Sequence, residues 1–138
     1  MSGPAFLDTN VLVYAALQSD PRSETARALL ARRATISVQV LNEFVNVAHR
    51  KLHRSWPEIT KAVSAIRDLC PPPSPITLAT HEMALRVASR TGYQFYDALI
   101  IAAALEAGCA TLFSEDLQDG QVIEGSLTIR NPFGTSGP

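Results

Sequence analysis

Apolar residues in this chain fall into short runs that alternate with segments of helical periodicity. Ala5-Phe6-Leu7 is an apolar run that stops at Asp8, which reads as a buried strand with an acid at its carboxyl end. A helix is expected to follow through Val11 to Leu17 and to break before Asp20-Pro21. Ser23 is placed to cap the next helix, on which Ala26, Leu29 and Leu30 recur at helical spacing. Ala34-Thr35-Ile36 reads as a second strand, and Ser37 as the cap of a helix running to about His53. Leu41, Phe44, Val45, Ala48 and Leu52 form its core stripe. Another helix begins near Trp56-Pro57-Glu58, where proline is tolerated, and runs to Cys70. Pro71-Pro72-Pro73-Ser74-Pro75 suits neither a helix nor a central strand and reads as a stiff connector. Helices are expected over Thr80 to Arg90, stopped by Gly92, and over Asp97 to Ala107, stopped by Gly108. Ala110 to Phe113 is then a strand ending at Ser114-Glu115-Asp116, with Leu127-Thr128-Ile129 a weaker last one.

Strands alternating with helices predict an α/β domain with a central, mostly parallel sheet. In such sheets ligands bind outside the carboxyl ends of the strands. Asp8 and Asp116 fall at that edge, while Glu43 and Asp97 lie in the opening turns of helices that start from it. The topology therefore gathers acids that are far apart in sequence. None of the chain's 12 basic residues neighbours Asp8, Asp97 or Asp116 in sequence. An acid buried without a partner is costly, so a divalent metal is the simplest source of the missing positive charge.

Composition narrows the setting. At 138 residues, 46% of them apolar, the chain is long enough for one domain with a proper core. No apolar run approaches the roughly 20 residues of a membrane span. Met1-Ser2-Gly3-Pro4 shows no signal segment, and Cys70 and Cys109 are the only cysteines, so a reducing cytoplasm is the expected location. The net charge of −1 excludes a polycation, although His49-Arg50-Lys51-Leu52-His53-Arg54 is a local basic block.

Each residue also has a plainer reading. Asp8 and Asp97 could cap the helices that follow them, and Glu43 could face water. Asp119 precedes Gly120 and suits a turn. Glu43, Asn46, Arg50 and Arg54 share one helical face, so a phosphate strand there would meet arginines beside an acid; the alternative is a solvated face with helical ion pairs. His49 and His53 have the spacing of a helical zinc half-site but lack the accompanying carboxylate pattern. Tyr93, Phe95 and Tyr96 read as core, with one of them free to stack on a base.

In order, Phe6-Leu7-Asp8-Thr9-Asn10, Asn42-Glu43-Phe44, Tyr96-Asp97-Ala98-Leu99-Ile100 and Phe113-Ser114-Glu115-Asp116-Leu117 resemble the motifs of PIN-domain nucleases, and among them of VapC-type toxins of VapBC toxin–antitoxin systems. The resemblance implies a PIN-like three-layer α/β/α domain over residues 1–133, followed by a flexible tail at 134–138. It implies a metal-dependent endoribonuclease, the toxin of a type II toxin–antitoxin system. Asp8, Glu43, Asp97 and Asp116 would be its catalytic acids. Mg²⁺ or Mn²⁺ would be held by Asp8, Asp97 and Asp116, with Glu43 as a further ligand and with Asn10 and Ser114 orienting the ligands. Asp119 is a departure from the family pattern and would either supplement Asp116 as a metal ligand or do nothing. Arg50 and Arg54 are the RNA-binding candidates. Homodimerisation and inhibition by a small cognate antitoxin follow from the same resemblance. Carboxylates suit hard Mg²⁺, and the sequence offers no Ser-His-Asp set or Gly-rich phosphate loop. The competing reading is a PIN-like module that binds RNA or protein without cutting. A phospho-acceptor domain would need a lysine near a late strand, and only Lys51 and Lys61 exist.

Overall fold

The computed structural model describes residues 4–134, so the last four residues of the expected tail lie outside the described residues. The elements in chain order are β1 (Ala5–Leu7), α1 (Thr9–Ala16), α2 (Ser23–Ala31), α3 (Val38–Arg50), α4 (Trp56–Leu69), α5 (Leu78–Thr91), α6 (Phe95–Glu106), β2 (Thr111–Phe113), β3 (Val122–Ile123) and β4 (Leu127–Arg130). The sheet runs β1-β2-β4-β3. β1, β2 and β4 are parallel, with Phe6 opposite Leu112 and Leu112 opposite Ile129. β3 turns back antiparallel on β4 and closes one edge.

Phe6 and Leu7 are both fully buried, although successive strand residues point to opposite faces of a sheet. Both faces are therefore covered, as the short apolar runs require. Helices α5 and α6 pack on each other, and α1 packs against α2 and α3. α6 buries every residue from Ala98 to Ala104, because it is apolar all round rather than on one stripe. Phe6, Leu12, Phe44 and Ile101 are among the fully buried side chains, and each stabilises the fold by about 1.5–3 kcal/mol relative to exposure.

Four details depart from the sequence reading. The expected second strand shrinks to a single parallel bridge of Thr35 beside Phe6. Leu7 donates its N–H to the Thr35 carbonyl at 3.0 Å, and Thr35 donates to that of Ala5 at 2.8 Å, before Ser37 opens α3. Helix α3 stops at Arg50 rather than near His53, because His53 takes a left-handed backbone at φ 55. The Arg54 N–H then reaches back to the Ala48 carbonyl at 2.9 Å and seals the helix end. Helix α6 opens at Phe95, ahead of Asp97. The two-residue β3 carries too little pattern to be seen in sequence.

Candidate active site

Asp8 directly follows β1 and Ser114 directly follows β2, side by side at the carboxyl edge of the sheet. The Asp8 backbone N–H donates to the Phe113 carbonyl at 3.0 Å, which extends the ladder one step and fixes where the acid stands. Its side chain is only 5% exposed. One carboxylate oxygen accepts from the Thr9 N–H at 2.7 Å, and the other from the Ser114 hydroxyl at 2.7 Å. Asp8 is thus the cap of α1 as well as the buried acid, so the two readings of this residue hold together. Burial pushes its pKa up to about 6, against the two hydrogen bonds, with Glu43 and Asp97 adding repulsion.

Glu43 lies on the first half of α3, half-buried, where Gln39 donates to it at 2.9 Å. The Thr9 hydroxyl reaches its other oxygen at 3.4 Å. Burial raises its pKa, and Asp97 raises it further. Asp97 occupies the first turn of α6, whose cap is Gln94 rather than Asp97 itself. Its pKa is raised by burial and by Asp116, and a hydrogen bond from the Gln94 side chain opposes the shift. Asp116 is exposed and accepts from the Asn10 side chain at 3.0 Å. The Ser114 hydroxyl accepts from the N–H groups of Asp116 and Leu117, which folds the segment after β2 around Asp8.

Asp8, Glu43 and Asp97 therefore repel one another and Asp116 repels Asp97, with Ser114 bonded to Asp8 and Asn10 to Asp116. Thr9, Asn10, Glu43, Lys51, Glu115 and Asp116 are among the residues lining a groove of about 320 Å³, which Asp8 and Asp97 do not line. Among the described residues, no three His, Cys, Asp or Glu side chains converge tightly enough to enclose a metal ion. Each of the four acids instead leans on a neutral donor: Ser114, Gln39, Gln94 or Asn10.

Asp119 is elsewhere. It accepts from the Asn131 N–H at 2.9 Å, holding the exit of β4, and faces none of the four acids. Arg54 lies beyond the end of α3, off the Glu43 face. It is half-buried and donates a guanidinium N–H to the Leu17 carbonyl. Arg50 ends α3 and is exposed, and His49 stacks on Trp56 rather than pairing with His53. Tyr93 donates to Gln121 from a half-buried position, and Tyr96 is exposed.

The sequence reading missed a second set of contacts. Glu115 accepts from the Tyr14 hydroxyl and from Arg22 at 2.7 Å, and Arg22 also clamps Asp20. Arg22 lies 4.2 Å from the centre of the Tyr14 ring. Burial and Glu115 push the Tyr14 hydroxyl up to about 12, while Arg22 holds Asp20 down at about 2. Arg22 is thus paired with Glu115 and Asp20, and Glu115 itself lines the groove. Lys51 was missed as a groove residue: it follows the last residue of α3, and it borders the groove while staying exposed.

The sequence model of the PIN domain family matches residues 5–118, a span that includes all four acids. The chain belongs to the PIN domain family. Its fold is similar to that of VapC20 from Mycobacterium tuberculosis, described as a sarcin–ricin loop cleaving toxin. The two are 24% identical with a TM-score of 0.64, over 81% of this chain and 91% of that one. A toxin–antitoxin complex from Klebsiella pneumoniae contains a chain 19% identical, with a TM-score of 0.71, over 95% of this chain and 99% of that one. VapBC2 from Rickettsia felis, bound to a promoter DNA fragment, is 17% identical with a TM-score of 0.65, over 92% and 98%. No curated protein matches the sequence.

Proposed function

We propose that this chain is a metal-dependent endoribonuclease and the toxin of a type II toxin–antitoxin pair, acting in the cytoplasm. The observation that carries this reading is Asp8: a carboxylate 5% exposed, held by neutral donors, repelled by Glu43 and Asp97, and paired with no cation among the described residues. Such an arrangement is unfavourable in a metal-free fold and favours a group that brings positive charge.

The donor set fits Mg²⁺ or Mn²⁺ in its chemistry. All the donors are oxygens, and Mg²⁺ keeps several waters and needs only one or two carboxylates directly. That tolerance is consistent with acids that, among the described residues, are not closed into a cage. Asp8, Asp97 and Asp116 would hold the ion, with Glu43 at its side. When bound, the metal lowers the pKa of the attacking water and offsets charge on the scissile phosphate. The chain's own residues set the geometry. Ser114 fixes the Asp8 rotamer, Asn10 draws Asp116 toward the groove, and Gln39 with Thr9 fix Glu43. Glu43, half-buried and with a raised pKa, is the carboxylate suited to accept the proton of the water. Arg50, exposed and outside the ion pairs formed among the described residues, is suited to grip substrate phosphate.

Family membership supports the nuclease reading, and the similarity to chains of toxin–antitoxin complexes supports a toxin with an antitoxin partner; a homodimeric form belongs to the same proposal. The test is digestion of total cellular RNA by the purified chain. Cleavage should require Mg²⁺ or Mn²⁺ and leave 5′-phosphate and 3′-hydroxyl ends. Full activity in EDTA overturns the metal, and a 2′,3′-cyclic phosphate product overturns attack by water. Expressing the chain alone should arrest growth, and co-expression of the cognate antitoxin should restore it.

The absence of a closed three-acid cage among the described residues favours one other reading, a PIN-like module that binds RNA or protein without cutting. The same digestion separates the two. RNA bound but never cut, whatever the metal, selects the module.

A further inference from the structure

The turn between α3 and α4 carries an aromatic and basic surface that the groove chemistry does not use. The His49 and Trp56 rings stack 4.1 Å apart at an interplanar angle of 20°. Trp56 is nonetheless 56% exposed, an unusual position for the largest apolar side chain in the sequence. His49, Arg50 and His53 are exposed beside it, and with Arg54 they border a depression of about 490 Å³. On the other side Lys61 shares a shallow depression with Trp56 and Asp68.

We infer that the His49–Trp56 stack is a landing platform for a base of a single-stranded RNA segment, whose phosphates are held by Arg50 and Lys51. Charge and continuity both point to this occupant. Lys51 and Leu52 line the acidic groove, and Lys51 adjoins Arg50 at the end of α3, so a strand leaving the groove passes these cations before reaching Trp56. Among the described residues, neither Arg50 nor Lys51 is tied up in an ion pair. The nearest acid on the turn, Glu58, accepts from the Ser55 N–H in a capping box and faces Arg54, so it leaves the other cations free.

The platform is also preorganised. The Ser55–Glu58 box fixes the start of α4, the left-handed His53 fixes the turn, and Arg54 ties it to the Leu17 carbonyl. A rigid aromatic surface loses little conformational freedom on binding, and every base has a face to stack, so such a site tolerates sequence while requiring a single strand. A duplex keeps its bases inside the helix and could not use it. The inference rests on the proposed RNA substrate and names the form of it that this surface accepts.

Trp56 is the chain's one tryptophan, so its fluorescence reports on this site alone. The experiment titrates purified protein in EDTA with a single-stranded oligoribonucleotide and follows both tryptophan emission and the anisotropy of a labelled copy. Binding should quench Trp56. Trp56→Ala should weaken affinity by about tenfold, the typical size of one base–aromatic stack, and Trp56→Phe by less. Arg50→Ala and Lys51→Ala should each flatten the logarithmic salt slope by about 0.7, the value for one phosphate contact on a single strand. Circular dichroism checks that the variants fold. RNA that binds without quenching, and equally well to Trp56→Ala, overturns the platform and leaves the nuclease reading standing. RNA that does not bind overturns it too. An emission change on concentrating the protein without RNA, with no further change on adding RNA, places a second copy of the chain on Trp56 and also overturns it. Quenching and weakened Trp56→Ala binding in a protein that cuts no RNA with Mg²⁺ support the platform and remove the nuclease.

Discussion

The Ser114 hydroxyl donates to the Asp8 carboxylate at 2.7 Å, joining the ends of two adjacent parallel strands that lie more than a hundred residues apart in sequence. Ser114 is fully buried, and its oxygen also accepts from the Asp116 and Leu117 N–H groups. One hydroxyl therefore orients the buried acid and folds the segment that carries another.

Ser114→Ala removes a bond that holds the Asp8 pKa down and leaves one carboxylate oxygen buried without its donor. The acid limb of the cleavage pH profile should move to higher pH, because Asp8 then keeps its proton longer. Stability should fall by about 1–3 kcal/mol, the cost of a buried polar group left unpaired. Urea unfolding and a pH–rate profile measure the two effects. A profile that stays in place would mean that Asp8 does not need to be ionised for turnover.

Asp8 also makes the metal-free fold sensitive to pH. Its folded pKa of about 6 lies above the unfolded value of 3.8, so between those limits the folded state holds the extra proton. Stability from this group is then fully present below pH 3.8 and is lost as pH rises through 6, a change of about 3 kcal/mol at 1.36 kcal/mol per unit. Glu43 and Asp97 are shifted in the same direction. Asp20, lowered by Arg22, acts oppositely but below this window. Urea midpoints measured in EDTA should therefore fall from pH 4 toward pH 6, and Asp8→Asn should remove most of the decline. A midpoint that rises over the same range would contradict the burial of Asp8 as an unpaired acid.

Arg50 and Arg54 should behave differently despite their similar spacing from Glu43. Arg54→Ala removes the donor to the Leu17 carbonyl at the junction of α1 with the α3–α4 turn, so stability should drop by about 1–3 kcal/mol. Its effect on the salt slope of RNA binding should be negligible. Arg50→Ala should leave stability within about 0.5 kcal/mol, as surface changes usually do, and flatten that slope. If Arg54→Ala flattens the slope as much as Arg50→Ala, the arginine is released from Leu17 in the complex.

Much of this was written in the sequence. Apolar runs ending in acids located β1 and β2, because a strand buried on both faces must be apolar until it leaves the sheet, as Phe6-Leu7-Asp8 does. Parallel topology then placed Asp8 and Asp116 at one edge, and helix starts placed Glu43 and Asp97 beside them. The rest was less visible. Gln39 and Gln94 read as ordinary polar positions, although each meets its acid locally, Gln39 one turn before Glu43 on α3 and Gln94 as the cap ahead of Asp97 on α6. The end of α3 was illegible because no glycine marks it; His53 takes the left-handed turn that glycine usually supplies. That one-turn error put Arg54 on the wrong face and hid Lys51. Asp119 looked like a ligand only because it follows Asp116 closely, yet it faces Asn131 across a turn.

Asp97 links the acidic cluster to metal binding and to stability. It raises the pKa of both Asp8 and Glu43, and is itself raised by Asp116, so it is repelled by acids on three other segments. Asp97→Asn keeps the shape and removes that charge. Without metal the variant should be as stable as the parent or more so, because repulsion is relieved while the Gln94 contact can be kept through the amide oxygen. Cleavage should be abolished. Adding Mg²⁺ should raise the melting temperature of the parent, since a ligand that binds only the folded state stabilises it by RT ln(1 + [L]/Kd). The rise should be smaller in Asp97→Asn, and thermal melts of both proteins across a Mg²⁺ series measure it. Equal shifts would show that Asp97 takes no part in holding the ion, leaving Asp8, Glu43 and Asp116 to do so without it.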